Sequence, residues 1–166
     1  TIGAQDAKDA MESGAKWFPL NKGGEFRKWY GNKEHVVNWE KDGAEMKQAV
    51  IKRYGGGSYS KEIRSEDKYF LDGITWSALT SSNTSFRLTD YGAIFDSAGS
   101  TMNPKTLRFA TIGLLNSPVA RAILEAINPT LNFGAGSVGS IPVLDFSGTS
   151  TDCTTKNIVQ IARDDW

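Results

Sequence analysis

Residues 103–129 read Asn-Pro-Lys-Thr-Leu-Arg-Phe-Ala-Thr-Ile-Gly-Leu-Leu-Asn-Ser-Pro-Val-Ala-Arg-Ala-Ile-Leu-Glu-Ala-Ile-Asn-Pro. Twice a capping residue is followed by proline, at Asn103-Pro104 and Ser117-Pro118. Proline suits the first helical position, because the N–H it lacks would have no partner there. The spacing predicts one helix from Pro104 to about Leu115, and a second from Pro118 that Asn128-Pro129 stops. Leu107, Ile112 and Leu115, then Val119, Ile123, Leu124 and Ile127, fall at core-facing positions. Around this pair lie short runs that read as strands: Lys68–Leu71, Ile74–Leu79, Ser85–Leu88, Ala93–Asp96 and Ile141–Phe146, separated by Gly, Asp and Asn turns. Strands and helices are grouped rather than alternating. The expected class is therefore α+β, with short mixed strands in a twisted sheet and helices packed against it.

The first half is less regular. Residues 4–15 are polar and Ala-rich and read as a connector or short helix, without a strong apolar stripe of their own. Trp17–Leu20 is apolar but interrupted by Pro19, and Asn21-Lys22-Gly23-Gly24 is a turn. His35–Trp39 reads as a strand, and Asp42–Lys52 as a helix with Asp42 as N-cap. Tyr54–Tyr59 is a glycine-rich loop. Thr155–Arg163 reads as a last helix, expected to lead out of the segment.

Length and composition set bounds. With 166 residues the chain suits one domain, which would bury roughly 70% of its unfolded surface. No apolar run nears the ~20 residues a membrane span needs. The start, Thr1-Ile2-Gly3-Ala4, lacks a basic region followed by an apolar stretch, so no signal peptide is expected. Cys153 is the only cysteine, which excludes an internal disulfide and suggests a reducing, cytoplasmic setting. The formal net charge is zero, but it is unevenly spread. Residues 16–33 carry Lys16, Lys22, Arg27, Lys28 and Lys33 against Glu25, and residues 47–64 carry Lys47, Lys52, Arg53, Lys61 and Arg64 against Glu62. Two basic windows in an otherwise acidic chain suit a protein that meets phosphate on one face.

Catalytic patterns are weak. His35 is the only histidine and has no Cys or carboxylate partner at ligand spacing, so it reads as structural. Gly134-Ala135-Gly136-Ser137-Val138-Gly139 satisfies G-x-G-x-x-G by letter. It lacks the preceding strand and the following helix that would hold a pyrophosphate. Asn128-Pro129-Thr130-Leu131 lacks the second proline and the aromatic of an Asn-Pro-Pro-Tyr motif and reads as a helix stop. No cofactor or metal site is expected in this segment.

The segment 16–39 points elsewhere. Trp17, Phe18, Phe26, Trp29, Tyr30 and Trp39 are interleaved with Lys16, Lys22, Arg27 and Lys28. Cations neutralise phosphates, Gly23-Gly24 permits close backbone approach, and amides such as Asn21 and Asn32 can read base edges. About half of these aromatics are expected in the core in any case.

In order along the chain, Trp17–Asn32, Val36–Glu40, Gly73–Ser77, Ile94–Asp96, Leu114–Ser117, Asn128–Phe133 and Ile141–Val143 resemble the C-terminal target-recognition region of large bacterial adenine-specific DNA methyltransferases. These are the phage-defence (BREX, PglX-type) and fused restriction–modification (type IIG) families, whose specificity domain is TaqI-methyltransferase-like. The chain departs from the family after Phe133, where Gly134–Val138 replaces a Gln-Val-Gly-Asp-Ile-like run. The resemblance implies that the S-adenosylmethionine site and the catalytic motif lie in an N-terminal domain outside this segment. It implies a recognition domain over 16–150, flanked by the connector 1–15 and the helical start 151–166. The expected partners are double-stranded DNA, the missing methyltransferase domain and other subunits of the defence system, with no membrane. The residues expected to meet DNA are Lys16, Asn21, Lys22, Gly23, Gly24, Arg27, Lys28, Trp29, Tyr30, Arg53, Ser58, Tyr59, Arg64 and Thr75. Two other readings stay open: a module that contacts a partner subunit, and a carbohydrate-binding domain using exposed tryptophans.

Overall fold

Two clusters of buried apolar side chains organise the chain, one at each of two small sheets. The computed structural model describes residues 3–80, 83–143 and 148–166. The class is α+β, as expected. Among the described residues the strands form two three-stranded sheets instead of one, in the orders β2-β1-β5 and β4-β3-β6.

The first sheet is built on β1 (Trp17–Asn21), antiparallel to β2 (Val36–Asn38) and parallel to β5 (Ile94–Phe95). Pro19 is tolerated because the Leu20 N–H bonds the His35 carbonyl on the β2 side, which turns the proline nitrogen the other way. The β5 pairing on that side begins only at Leu20. Phe18, Trp39, Val50, Tyr69, Phe70 and Ile94 fill the core here, with Phe18 and Phe70 edge-to-face at 5.5 Å. Helix α1 (Ala7–Glu12), capped by the Asp6 carboxylate, buries Ala10 in this cluster and packs on α2 (Glu40–Arg53). The Ala-rich start thus finds its partner within the chain.

Helix α2 corrects one expectation. Asp42 is not its N-cap: Lys41, Asp42 and Gly43 form a left-handed turn, and the Asp42 carboxylate pairs with Lys47 Nζ at 2.7 Å. Lys47 also pairs with Glu66 at 2.6 Å and lies over the Trp39 and Tyr59 rings. The ion-paired lysine engages the side chain that would otherwise cap the helix.

The second sheet pairs β3 (Gly73–Trp76) with β4 (Phe86–Thr89) and with β6 (Thr101–Met102), both antiparallel. Residues 68–71, expected as a strand, are not one. Glu66–Lys68 is a 3-10 turn, and Phe70 takes a left-handed φ of 67° so that its ring and that of Tyr69 both enter the first core. The strand expected over 141–146 falls partly on 144–147, outside the described residues, and 141–143 belong to no strand.

The helical pair is half as expected. Helix α4 (Pro118–Ile127) has Pro118 in its first turn, and Ser117 Oγ accepts from the Ala120 N–H at 3.2 Å. Helix α3 begins at Arg108 and runs to Leu115, so Asn103 and Pro104 do not open it. The Asn103 amide and the Arg108 guanidinium are both engaged by Asp72, and this tertiary anchor overrides the local cap. The glycine-rich run becomes the short helix α5 (Ala135–Gly139) rather than a loop between strand and helix. Helix α6 (Ser150–Asp165) is longer than expected and packs across α3. The crossing is close at Gly113, where a Cβ would lie 2.7 Å from Thr155 Oγ1. Val159 joins α6 to the second core of Ile74, Trp76, Phe86, Ile112 and Leu124. Among the described residues no helix is long and apolar enough to cross a membrane.

Candidate nucleic-acid interface

The loop from Lys22 to Trp29 leaves the end of β1 and returns beside β4. At its start Asn21 is buried, and its Nδ2 donates to Thr89 Oγ1 at 2.9 Å, tying the two sheets together. A side chain at Gly99 would overlap the Asn21 carbonyl, so only glycine lets the 96–99 turn nest against this corner. At its end the Trp29 N–H donates to the Phe86 carbonyl and the Leu88 N–H to the Trp29 carbonyl, both at 2.8 Å. Trp29 itself sits at φ 74°.

Between these ends the loop is held by its carbonyls. Ser77 Oγ donates to the Gly24 carbonyl at 2.9 Å, and Asn32 Nδ2 donates to the carbonyls of Gly23 (3.2 Å) and Glu25 (2.9 Å). Arg87, 1% exposed, donates through Nη1 to the Arg27 carbonyl and to Ser85 Oγ, both at 3.2 Å, and through Nη2 to Ser77 Oγ at 3.3 Å. Its Nε–H has no hydrogen-bond partner among the described residues. Burial lowers its pKa to about 10, so it remains a cation at neutral pH. The sequence reading passed over Arg87, whose only signal was a charge set in an apolar strand.

The expected contact residues divide by location. Lys22 is exposed and has no ion-pair partner among the described residues, and Gly24 is also exposed, whereas Gly23 is buried. Arg27 lies 3.5 Å from Asp165 and stacks on Trp166 at 4.9 Å. Lys28 Nζ donates to the Asn116 carbonyl at the C-terminal end of α3, a favourable place for a cation. Lys16 pairs with Glu40 at 4.0 Å and lies over Trp17. Arg53 donates to both Glu62 carboxylate oxygens at 2.8 Å, and Ser58 caps a 3-10 turn. Tyr59 is half-buried beneath Lys47.

Arg64 and Lys61 are exposed on the rim of a groove of about 570 Å³ that also involves Trp39, Tyr69, Phe95 and Ser97. Ser97 and Gly99 belong to one turn, so the turn that supports Lys22 also borders the Arg64 rim. Asn21 and Thr75 have their polar atoms inside the protein. Thr75 Oγ1 donates to the Ser100 carbonyl at 3.0 Å. Tyr30 is likewise buried, its hydroxyl donating to Asp90 at 2.7 Å.

Asp90 gathers three donors that no single stretch of sequence contains: the Tyr30 hydroxyl, Lys33 Nζ at 2.6 Å and Arg163 Nη2 at 2.7 Å. Burial works upward on its pKa, but the hydrogen bonds and charges of Lys33, Tyr30 and Arg163 outweigh it and hold the carboxyl below its usual range. A depressed folded-state pKa stabilises the protein above the unfolded value of ~3.9, and that contribution disappears as pH falls through the folded value. Asp90→Asn is therefore expected to cost about 1 kcal/mol at pH 7, allowing for the partial exposure of the carboxylate, and less at pH 3. Urea unfolding at both pH values measures the difference; an equal cost at both would rule out the charge network.

His35 lines a cleft of about 460 Å³ with Trp17, Tyr30, Lys33, Thr89 and Asp90. Among the described residues no group of three His, Cys, Asp or Glu side chains is placed to hold a metal ion.

No family model matches the chain. It is 35% identical over 162 residues to "Adenine-specific methyltransferase PglX" of Lacticaseibacillus casei (strain Zhang), a match covering 94% of this chain and 13% of the relative. It is 32% identical over 163 residues to "Adenine-specific methyltransferase BrxX" of Escherichia coli O9:H4 (strain HS), covering 95% and 12%. The chain is homologous to a segment of PglX-type adenine-specific methyltransferases. It spans about an eighth of the length of these relatives.

Proposed function

We propose that this chain is the DNA-recognition part of an adenine-N6 methyltransferase of a bacterial phage-defence (BREX) or restriction–modification system, and carries no catalysis by itself. The parent would act in the cytoplasm, taking its methyl group from S-adenosylmethionine bound outside this segment. The observation that carries the reading is the Lys22–Trp29 loop. It is fixed by its carbonyls and by a buried arginine, and it leaves Lys22 and Gly24 open to solvent. A loop held in this way positions amides and cations without the entropy loss of ordering them on binding. Lys22, Arg27 and Lys28 with Arg53 and Arg64 would contact phosphates, with Ser58, Trp29 and Tyr59 nearby. Asn21, Tyr30 and Thr75 would support the surface from within. Because α6 packs on α3 and its last residues meet Arg27, the recognition unit would extend through α6.

Phosphate contacts act on all sequences alike. Lys22→Gln in the full-length enzyme is expected to weaken binding to cognate and random duplexes equally. It should also reduce the slope of log affinity against log salt by about 0.9. A titration series from low to high salt measures both, and an unchanged slope would remove Lys22 from the interface. The second reading, docking on a partner subunit, draws on the exposure of Trp17, Phe26 and Val36 and on the engagement of Arg53 and Arg27 by acids. It predicts binding with little salt dependence.

A further inference from the structure

Three clefts meet around residues 89–91, just past the end of β4. The cleft with His35 and the cleft between α3 and α6 share Thr89 and Asp90. The α3–α6 cleft shares Arg108 and Phe109 with a third, which in turn shares Tyr91 with the first. Together they form one extended trough. Its lining includes Lys33, Lys105, Arg108, Lys156 and Arg163 against two carboxylates, Asp72 and Asp90, a local excess of three positive charges in a chain of zero formal charge. Only Lys33 belongs to a basic stretch of the sequence; the other four come from the approach to α3, its first turn and α6.

The cations are held in place yet not exhausted. Asp72 fixes Arg108, while Asp90 fixes both Lys33 and Arg163. Lys156 reaches back to Asp152 at 2.7 Å, and Lys105 has no ion-pair partner among the described residues. Burial, and then the charge of nearby Arg163, pulls the Arg108 pKa below its usual value. Two guanidinium groups that repel one another across a cleft are relieved by an anion between them. Asn157 and Gln160 add amide donors to the same lining.

We infer that this trough is a second phosphate-binding track, which takes the phosphodiester backbone of a nucleic acid. The extended shape favours a chain of phosphates over a single ion. The inference rests on the DNA-recognition reading and adds to it: the nucleic acid would be held at the α3–α6 trough as well as at the Lys22 loop.

The test compares two double variants of the full-length enzyme, Lys105→Gln/Lys156→Gln and Lys22→Gln/Arg64→Gln, with thermal melts as a check on folding. All four side chains are exposed, so both variants are expected to melt as the parent does. Loss of two phosphate contacts should weaken duplex binding about 30-fold at 0.15 M salt and lower the salt slope by about 1.8. That result with Lys105→Gln/Lys156→Gln supports the trough. If only Lys22→Gln/Arg64→Gln weakens binding, the trough is overturned and the recognition reading stands. If neither variant does, both fall. Inorganic phosphate alone should show no saturable millimolar binding by calorimetry. Phosphate binding that vanishes in Lys105→Gln/Lys156→Gln, while that variant binds duplex as the parent does, would assign the trough to a free phosphate and overturn the backbone assignment.

Discussion

Replacing Arg87 by alanine is expected to destabilise the chain by about 4 kcal/mol and to release the Lys22–Trp29 loop. The side chain is buried, and its removal opens a cavity in the second sheet. It also takes donors from the Arg27 carbonyl and from the hydroxyls of Ser77 and Ser85. A buried polar group left without a partner costs about 1–3 kcal/mol. Arg87→Met separates packing from anchoring. It fills most of the volume and removes a buried charge that forms no ion pair among the described residues, with only the field of Glu34 favouring it, so its stability cost should stay below about 1.5 kcal/mol. The loop would still lose its tie at Arg27. DNA affinity of the full-length enzyme should therefore fall in both variants, although only alanine lowers the urea midpoint strongly. Equal affinity in Arg87→Met and the parent would show that the loop is set by Asn32, Ser77 and the Trp29 pairing without Arg87.

The second large effect belongs to Trp76. It is 1% exposed, its Nε1–H donates to the Phe133 carbonyl at 2.7 Å, and its ring lies 5.8 Å from Phe86. The hydrogen bond draws the 131–133 segment against the end of β3, where the Phe133 N–H returns to the Ala78 carbonyl. Trp76→Ala should cost about 4 kcal/mol, a large share of the ~5–15 kcal/mol by which a domain of this size is stable. Trp76→Phe keeps most of the ring and loses the donor, for about 1–2 kcal/mol. Chemical denaturation of the three proteins gives the order. Near-parental stability in Trp76→Ala would mean that the second core does not depend on this side chain.

Local patterns were legible where neighbours in sequence decide the outcome. Ser117-Pro118 caps α4 because both groups act within one turn. The runs at 74–79, 85–88 and 93–96 contain β3, β4 and β5; apolar residues recur at every second position of β3 and β4, although both faces of these two strands are buried. Misreadings occurred where a distant residue intervened. Asp72 engages Asn103 and Arg108 and delays α3, and Lys47 engages Asp42. Tyr69 and Phe70 are apolar because a core needs them, not because they form a strand. β6 is two residues long and has no periodicity to detect. For the site, composition pointed to the cations but not to their geometry. Asn21 and Thr75 looked like polar contacts to DNA in a turn and a strand, but Thr89 and Ser100 take up their polar atoms. The Asp90 network joins residues 30, 33, 90 and 163, a span no sequence window covers.

The central claim, that this segment chooses the DNA sequence on which its parent acts, is tested most directly by exchange. Residues 3–166 would be replaced, in the full-length enzyme, by the matching segment of a relative with a different methylation site. The N6-methyladenine positions would then be mapped across a genome. The account predicts that the methylated motif follows the transplanted segment. A folded, active chimaera that still methylates the original motif would contradict it.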